Sequence, residues 1–154
     1  MIGANLTRTY TSAQLAEGNS PGVGDHYEDK DGKVYKFVLF NNGVGNVAAV
    51  AGNFAYYYLA TGHSTSTVTS DLSDSVNIGA GVFQAAVADG SYGWIQIAGT
   101  ATLTTALTAG ADGNALTAVG ATDGTVDVSA LVSDAICAVA DDASAKIVSL
   151  CCPW

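Results

Sequence analysis

At 154 residues the chain has the length of one domain; 49% of it is hydrophobic, much of that alanine, and only 12% is charged, about half the usual globular share. Fourteen acids against five cations give a net charge of −9, which excludes nucleic acid as a direct partner, because phosphate neutralisation by Lys and Arg supplies most of that affinity. Residues 37–145 contain no Lys or Arg at all. A site that grips a phosphate or carboxylate would have no fixed cation there, so hydrolase or transferase chemistry is a poor expectation.

The first 24 residues mix Thr, Ser, Asn and Gly with one Pro21 and carry a short helix-compatible patch at 12–17. They read as an extended, loosely attached N-terminal arm ahead of a β-domain at 25–154. No basic region followed by a long apolar run marks a secretory signal. No stretch approaches the roughly 20 uninterrupted apolar residues of a membrane-spanning helix, so the expectation is a soluble chain made in a cytoplasm, with no membrane partner.

The strongest local signal is the hairpin at 26–40, with Asp31-Gly32 supplying the positive φ of a tight turn and a β-branched, aromatic second strand. Alternation is lost over 37–40, which predicts burial on both faces. Asn41-Asn-Gly43 and Gly52-Asn53 punctuate the chain before strand-like runs at 47–50 and 54–60. Further strands are predicted near 65–69, 82–87, 92–98, 101–107, 115–119, 125–128, 135–139 and 146–151, with turns at Gly79-Ala-Gly81, Asp89-Gly90, Gly110, Asp112-Gly113 and Asp123-Gly124. Residues 131–139 could open a helix, but a closing hairpin of 136–139 against 147–150 is preferred. Short strands at this spacing predict an all-β fold, a compact β-sandwich or small β-barrel of short antiparallel strands.

Candidate chemistry is sparse. Cys137, Cys151 and Cys152 form no zinc spacing and leave an odd thiol; no metal or cofactor is expected. Of the histidines, His26 lies beside the hairpin and His63 in a polar loop, and no G-x-S-x-G elbow accompanies either. The aspartates beyond the hairpin sit mostly at turns, where the side chain bonds local backbone. Calcium is the better functional reading of such loops, yet Asp29-Lys-Asp31-Gly32 lacks the downstream Glu of an EF-hand. The aromatics are more telling. Tyr56, Tyr57 and Tyr58 are consecutive, so in a strand both faces carry a large ring, serving the core and a contact with another surface. Trp94 reads as core, while Pro153-Trp154 is a free-ended anchor. Arg8 and Tyr10 are the contact candidates of the arm.

The ordered set Asp31-Gly-Lys-Val-Tyr35, Val47-Ala-Ala-Val-Ala-Gly52, Ser91-Tyr-Gly-Trp-Ile-Gln-Ile97 with Gly99, and Ala138-Val-Ala before a final strand resembles the head decoration proteins of tailed bacteriophages, also called cement or capsid-stabilising proteins. The likeness spans about residues 27–154, and its most specific piece is Tyr-Gly-Trp-Ile-Gln-Ile after a turn; Cys151-Cys-Pro-Trp154 falls outside any shared pattern. It implies a non-enzymatic β protein, often a homotrimer, that binds the major capsid protein on the outer surface of the virion and bridges capsomers against internal DNA pressure. Tyr56, Tyr57, Tyr58, Pro153, Trp154, Arg8 and Tyr10 are then the candidate capsid or intersubunit contacts. The alternative is a carbohydrate-binding or adhesin-like β-sandwich with Tyr56–Tyr58 or Trp94 as a sugar platform. A third reading is a small β-barrel enzyme with His63 and an aspartate in a deep pocket.

Overall fold

A computed structural model of the chain describes residues 3–154, the His63 side chain excepted. The fold is all-β. After a short helix α1 (Ser12–Ala16) come β1 (His26–Glu28), β2 (Val34–Phe40), β3 (Phe54–Tyr58), β4 (Thr67–Thr69), β5 (Ser75–Phe83), β6 (Tyr92–Thr102), β7 (Ala115–Thr117), β8 (Asp127–Val128), β9 (Ile136–Asp142) and β10 (Ile147–Cys151). Five strands close a ring: β2 pairs β4, β4 pairs β3, β3 pairs β5, β5 pairs β6, and β6 returns to β2. This is a small barrel, antiparallel except for the parallel β2–β4 pair. The distal half of β6 runs on to pair with β10, which continues through β9 and β7 to an edge at β8.

Both predicted hairpins form. In the first, the Asp29 carboxylate accepts the N–H groups of Asp31 and Lys33 at 2.9 and 3.0 Å, and Gly32 takes φ 77°. β2 is buried on both faces, as its lost alternation predicts. Val34, Val38 and Phe40 join the main core with Phe54, Ile95, Ile97, Leu116 and Val148. Tyr35 and Phe37 join a second cluster with Tyr10 and Trp94.

Several boundaries differ from the sequence expectation. Gly79 and Gly81 make no turn but lie inside β5, which starts at Ser75 and ends at Phe83 rather than spanning 82–87. A Cβ on Gly79 would come within 2.6 Å of the Cys137 sulfur, and one on Gly81 would strike the Gln96 carbonyl; here glycine admits close neighbours instead of reversing the chain. Gly99, at φ 90°, bends β6 without ending it, so the expected separate strand at 101–107 contributes only its first two residues. Residues 47–50 form no strand.

The N-terminal segment is docked. Tyr10 and Tyr92 exchange backbone hydrogen bonds of 2.9 and 2.8 Å, Thr11 caps α1 through a capping box with Gln14, and the Tyr10 ring meets Phe37 edge-on at 5.5 Å. Tyr10 is only 8% exposed. Burying a large aromatic of this kind is worth about 3 kcal/mol. Tyr10→Ala is therefore expected to lower unfolding free energy by about that amount and to speed tryptic cleavage after Arg8. An unchanged urea midpoint and cleavage rate would show that the segment is not held by this ring.

Candidate functional site

The aspartates are occupied locally. Asp71 accepts from the Ser73 hydroxyl at 2.6 Å and from the Gly45 and Ser73 N–H groups at 2.8 and 3.0 Å, and these bonds, the hydroxyl first, hold its carboxyl below the ordinary range. Asp74 accepts from the Val44 N–H, and Asp123 from the Leu72 N–H at 2.9 Å. The loops at 41–46 and 71–74 are thereby tied to each other and to the 122–125 turn. Among the described residues no group of three or more His, Cys, Asp or Glu side chains is placed to hold a metal ion.

The three consecutive tyrosines separate. Tyr56 is fully buried, its hydroxyl donating to the Thr125 carbonyl and accepting the Thr125 N–H at 3.0 Å, so it pins the 122–125 turn onto the barrel. Tyr57 is also fully buried. Its hydroxyl accepts from Lys36 Nζ at 3.1 Å and donates to the Pro153 carbonyl at 3.3 Å. Neither ring presents a surface in the folded chain, which removes both from the candidate contacts; Tyr58 is half-buried at the strand end. Burial of Tyr56 and Tyr57, neighbours on opposite faces of one strand, follows from two covers: the 122–125 turn bonded to the first and the C-terminal tail bonded to the second.

The remaining candidates converge on one face. Trp154 stacks on His26 with centroids 5.1 Å apart and planes 26° from parallel, yet stays 69% exposed. Pro153 is anchored through Tyr57. The Arg8 guanidinium lies 4.6 Å from the Tyr10 ring centroid. Tyr10 and His26 both line a groove of about 640 Å³ floored by Tyr27 and Trp94, with Asp25 and Glu28 at its side. Trp94 is 3% exposed and meets Phe37 and Tyr27 edge-on at 62° and 66°. Among the described residues no pair of exposed, coplanar rings lines this groove. Beneath it Lys36 is 4% exposed, its ammonium 5.3 Å from the Tyr57 ring centroid, and burial lowers its pKa.

A second surface was not anticipated from sequence. Between β8 and β9, Leu131 is 64% exposed and Val132 wholly so, followed on β9 by exposed Ile136 and Val139. The backbone here is fixed. One Asp134 oxygen accepts from the N–H groups of Ala130 and Leu131, each at 2.9 Å, and from the Ser129 hydroxyl at 3.3 Å. The usable signal was Ser129 and Asp134 bracketing an apolar pair, a spacing that suits a capped turn as well as a helix start. His63, named in the enzyme reading, has its side chain outside the described residues.

No family model, no curated protein and no solved structure matches the chain.

Proposed function

We propose that the chain is a structural accessory protein that attaches to the outer surface of a phage capsid shell and bridges its capsomers. The observation that carries this reading is a set of large apolar side chains, Leu131, Val132 and Trp154, held out to solvent on ordered backbone, in a molecule whose carboxylates mostly serve its own turns. Apolar groups presented on fixed backbone suit association, because little ordering entropy remains to be lost on binding. The sequence resemblance supplies the partner, the major capsid protein, and the virion exterior as the location. The face that carries Trp154, Arg8 and the groove beside them serves contacts between copies in a homotrimer. Many such modest contacts repeated over a lattice add through avidity.

A glycan-binding sandwich is the weaker reading, since its sugar platform would be Tyr56–Tyr58 or Trp94, and Trp94, Tyr56 and Tyr57 are buried. Bridging is tested on empty shells assembled from the major capsid protein encoded by the same genome. Saturating the shells with this protein should raise the temperature at which they rupture in light scattering. Shells that bind the protein and rupture at the same temperature would remove the bridging role.

A further inference from the structure

We infer that the shell-facing surface is the outer side of the β8–β9 region, where Leu131, Val132, Ile136 and Val139 are exposed in a segment whose only charges are aspartates, and that its partner is an apolar socket on the capsid protein edged with Lys and Arg. This rests on the capsid reading above.

Placement, rigidity and charge support the assignment. Ile136 and Val139 point outward from β9 while Cys137, Ala138 and Ala140 between and beside them are buried. Val139 lies between Ala115 of β7 and Ser149 of β10, so small side chains flank it and leave it 37% exposed. The 129–134 turn carries Leu131 and Val132 at the end of the sheet, next to the unpaired edge of β8. Its three bonds to Asp134 preorganise the pair. Residues 127–142 hold Asp127, Asp134, Asp141 and Asp142 and no cation. Exposed apolar side chains accompanied by charges suit a protein contact, and charges of one sign select a partner of the opposite sign. The same charges oppose a two-fold pairing of this segment with itself, because like charges would meet.

The test compares wild type with the double variant Leu131→Asp/Val132→Asp and with Val44→Asp, which places one such charge on an exposed valine in the loop after β2. Occupancy on the empty shells is read by co-sedimentation between 50 and 500 mM salt, and native mass by light scattering. The expected result is at least a tenfold loss of affinity for the double variant, wild-type affinity for Val44→Asp, and weakening of wild-type binding with salt that Asp127→Asn/Asp141→Asn reduces. Wild-type affinity in the double variant would overturn the assignment of this face while leaving shell attachment intact. So would binding indifferent to salt, or a double variant that loses its native mass, which would make the face a contact between copies. A wild-type chain that ignores shells would remove both the capsid reading and this inference.

Discussion

Gly81→Val is expected to cost upward of about 3 kcal/mol, enough to unfold much of a domain whose whole stability is about 5–15 kcal/mol. Gly81 sits in β5 where its backbone passes against β6, and a Cβ there would collide with the Gln96 carbonyl and come within 3.2 Å of Ile95 Cδ1. A backbone oxygen held in a sheet cannot turn aside as a flexible side chain could. The collision falls where β5 joins β6, one of the five pairings that close the barrel. Gly90→Ala is the matched comparison, since Gly90 has φ 70° with nothing within 4 Å of the added carbon; it should cost only about 1 kcal/mol of backbone strain. Urea unfolding followed by tryptophan fluorescence separates them. Equal midpoints for the two variants would show that β5 and β6 do not approach as described.

Alkaline pH should unfold the chain well before its backbone chemistry is at risk. Burial pushes the Cys137 thiol up to about 12 and that of Cys152 well above its ordinary value. Tyr35 and Tyr57 are likewise raised to about 12, with desolvation the largest cause, and Tyr56 is raised by the same effect. In the unfolded chain thiols lose their protons near 8.5 and phenols near 10. Above about pH 8.5 the folded state therefore binds more protons than the unfolded state, and stability falls as pH rises; below that pH the contribution of these groups is fully present. Each group removes up to about 1.4 kcal/mol per pH unit within its window. Lys36, with its lowered pKa, acts in the opposite sense, gaining stability as pH rises toward the unfolded lysine value near 10.4, but it is one group against six, the Cys151 thiol being raised by burial as well. The urea midpoint should drop steeply between pH 8.5 and pH 11, and in Cys137→Ala/Cys151→Ala/Cys152→Ala, which also removes the third thiol raised by burial, the drop should begin nearer pH 10. A midpoint level from pH 8 to pH 11 would contradict the burial of these side chains.

What was legible in the sequence is what is local. Asp31-Gly32 and Asp89-Gly90 reverse the chain within a few residues, and the 136–139 against 147–150 hairpin needs only a short connection, so each could be read from composition and spacing. Barrel closure is a different matter: β2 and β6 meet across more than fifty residues, and no local pattern records which strand completes the ring. The glycines show the same division. Gly90 turns and Gly81 admits a neighbouring carbonyl, yet the reason for Gly81 lies in Gln96 and is invisible at position 81.

The contact candidates divide for similar reasons. Trp154 is exposed as its terminal position suggests. Tyr56 and Tyr57 are buried because the 122–126 segment and the C-terminal tail cover them, and both covers are remote in sequence. Tyr10 reads as part of a loose arm until Tyr92 is seen to pair with it. The exposure of Leu131 and Val132 is not legible locally, since an apolar pair after Ser129-Ala130 fits a helix start or hairpin as well as a turn; only the bonds to Asp134 decide.

Attachment of the intact protein to assembled shells tests the central claim most directly. Purified chain is mixed with empty shells of the major capsid protein from the same genome, the shells are sedimented, and the unbound fraction is sized by light scattering. The expected result is saturable co-sedimentation at a fixed ratio to the capsid protein, with a free species of three chains. A monomer left entirely in the supernatant at every shell concentration would contradict it.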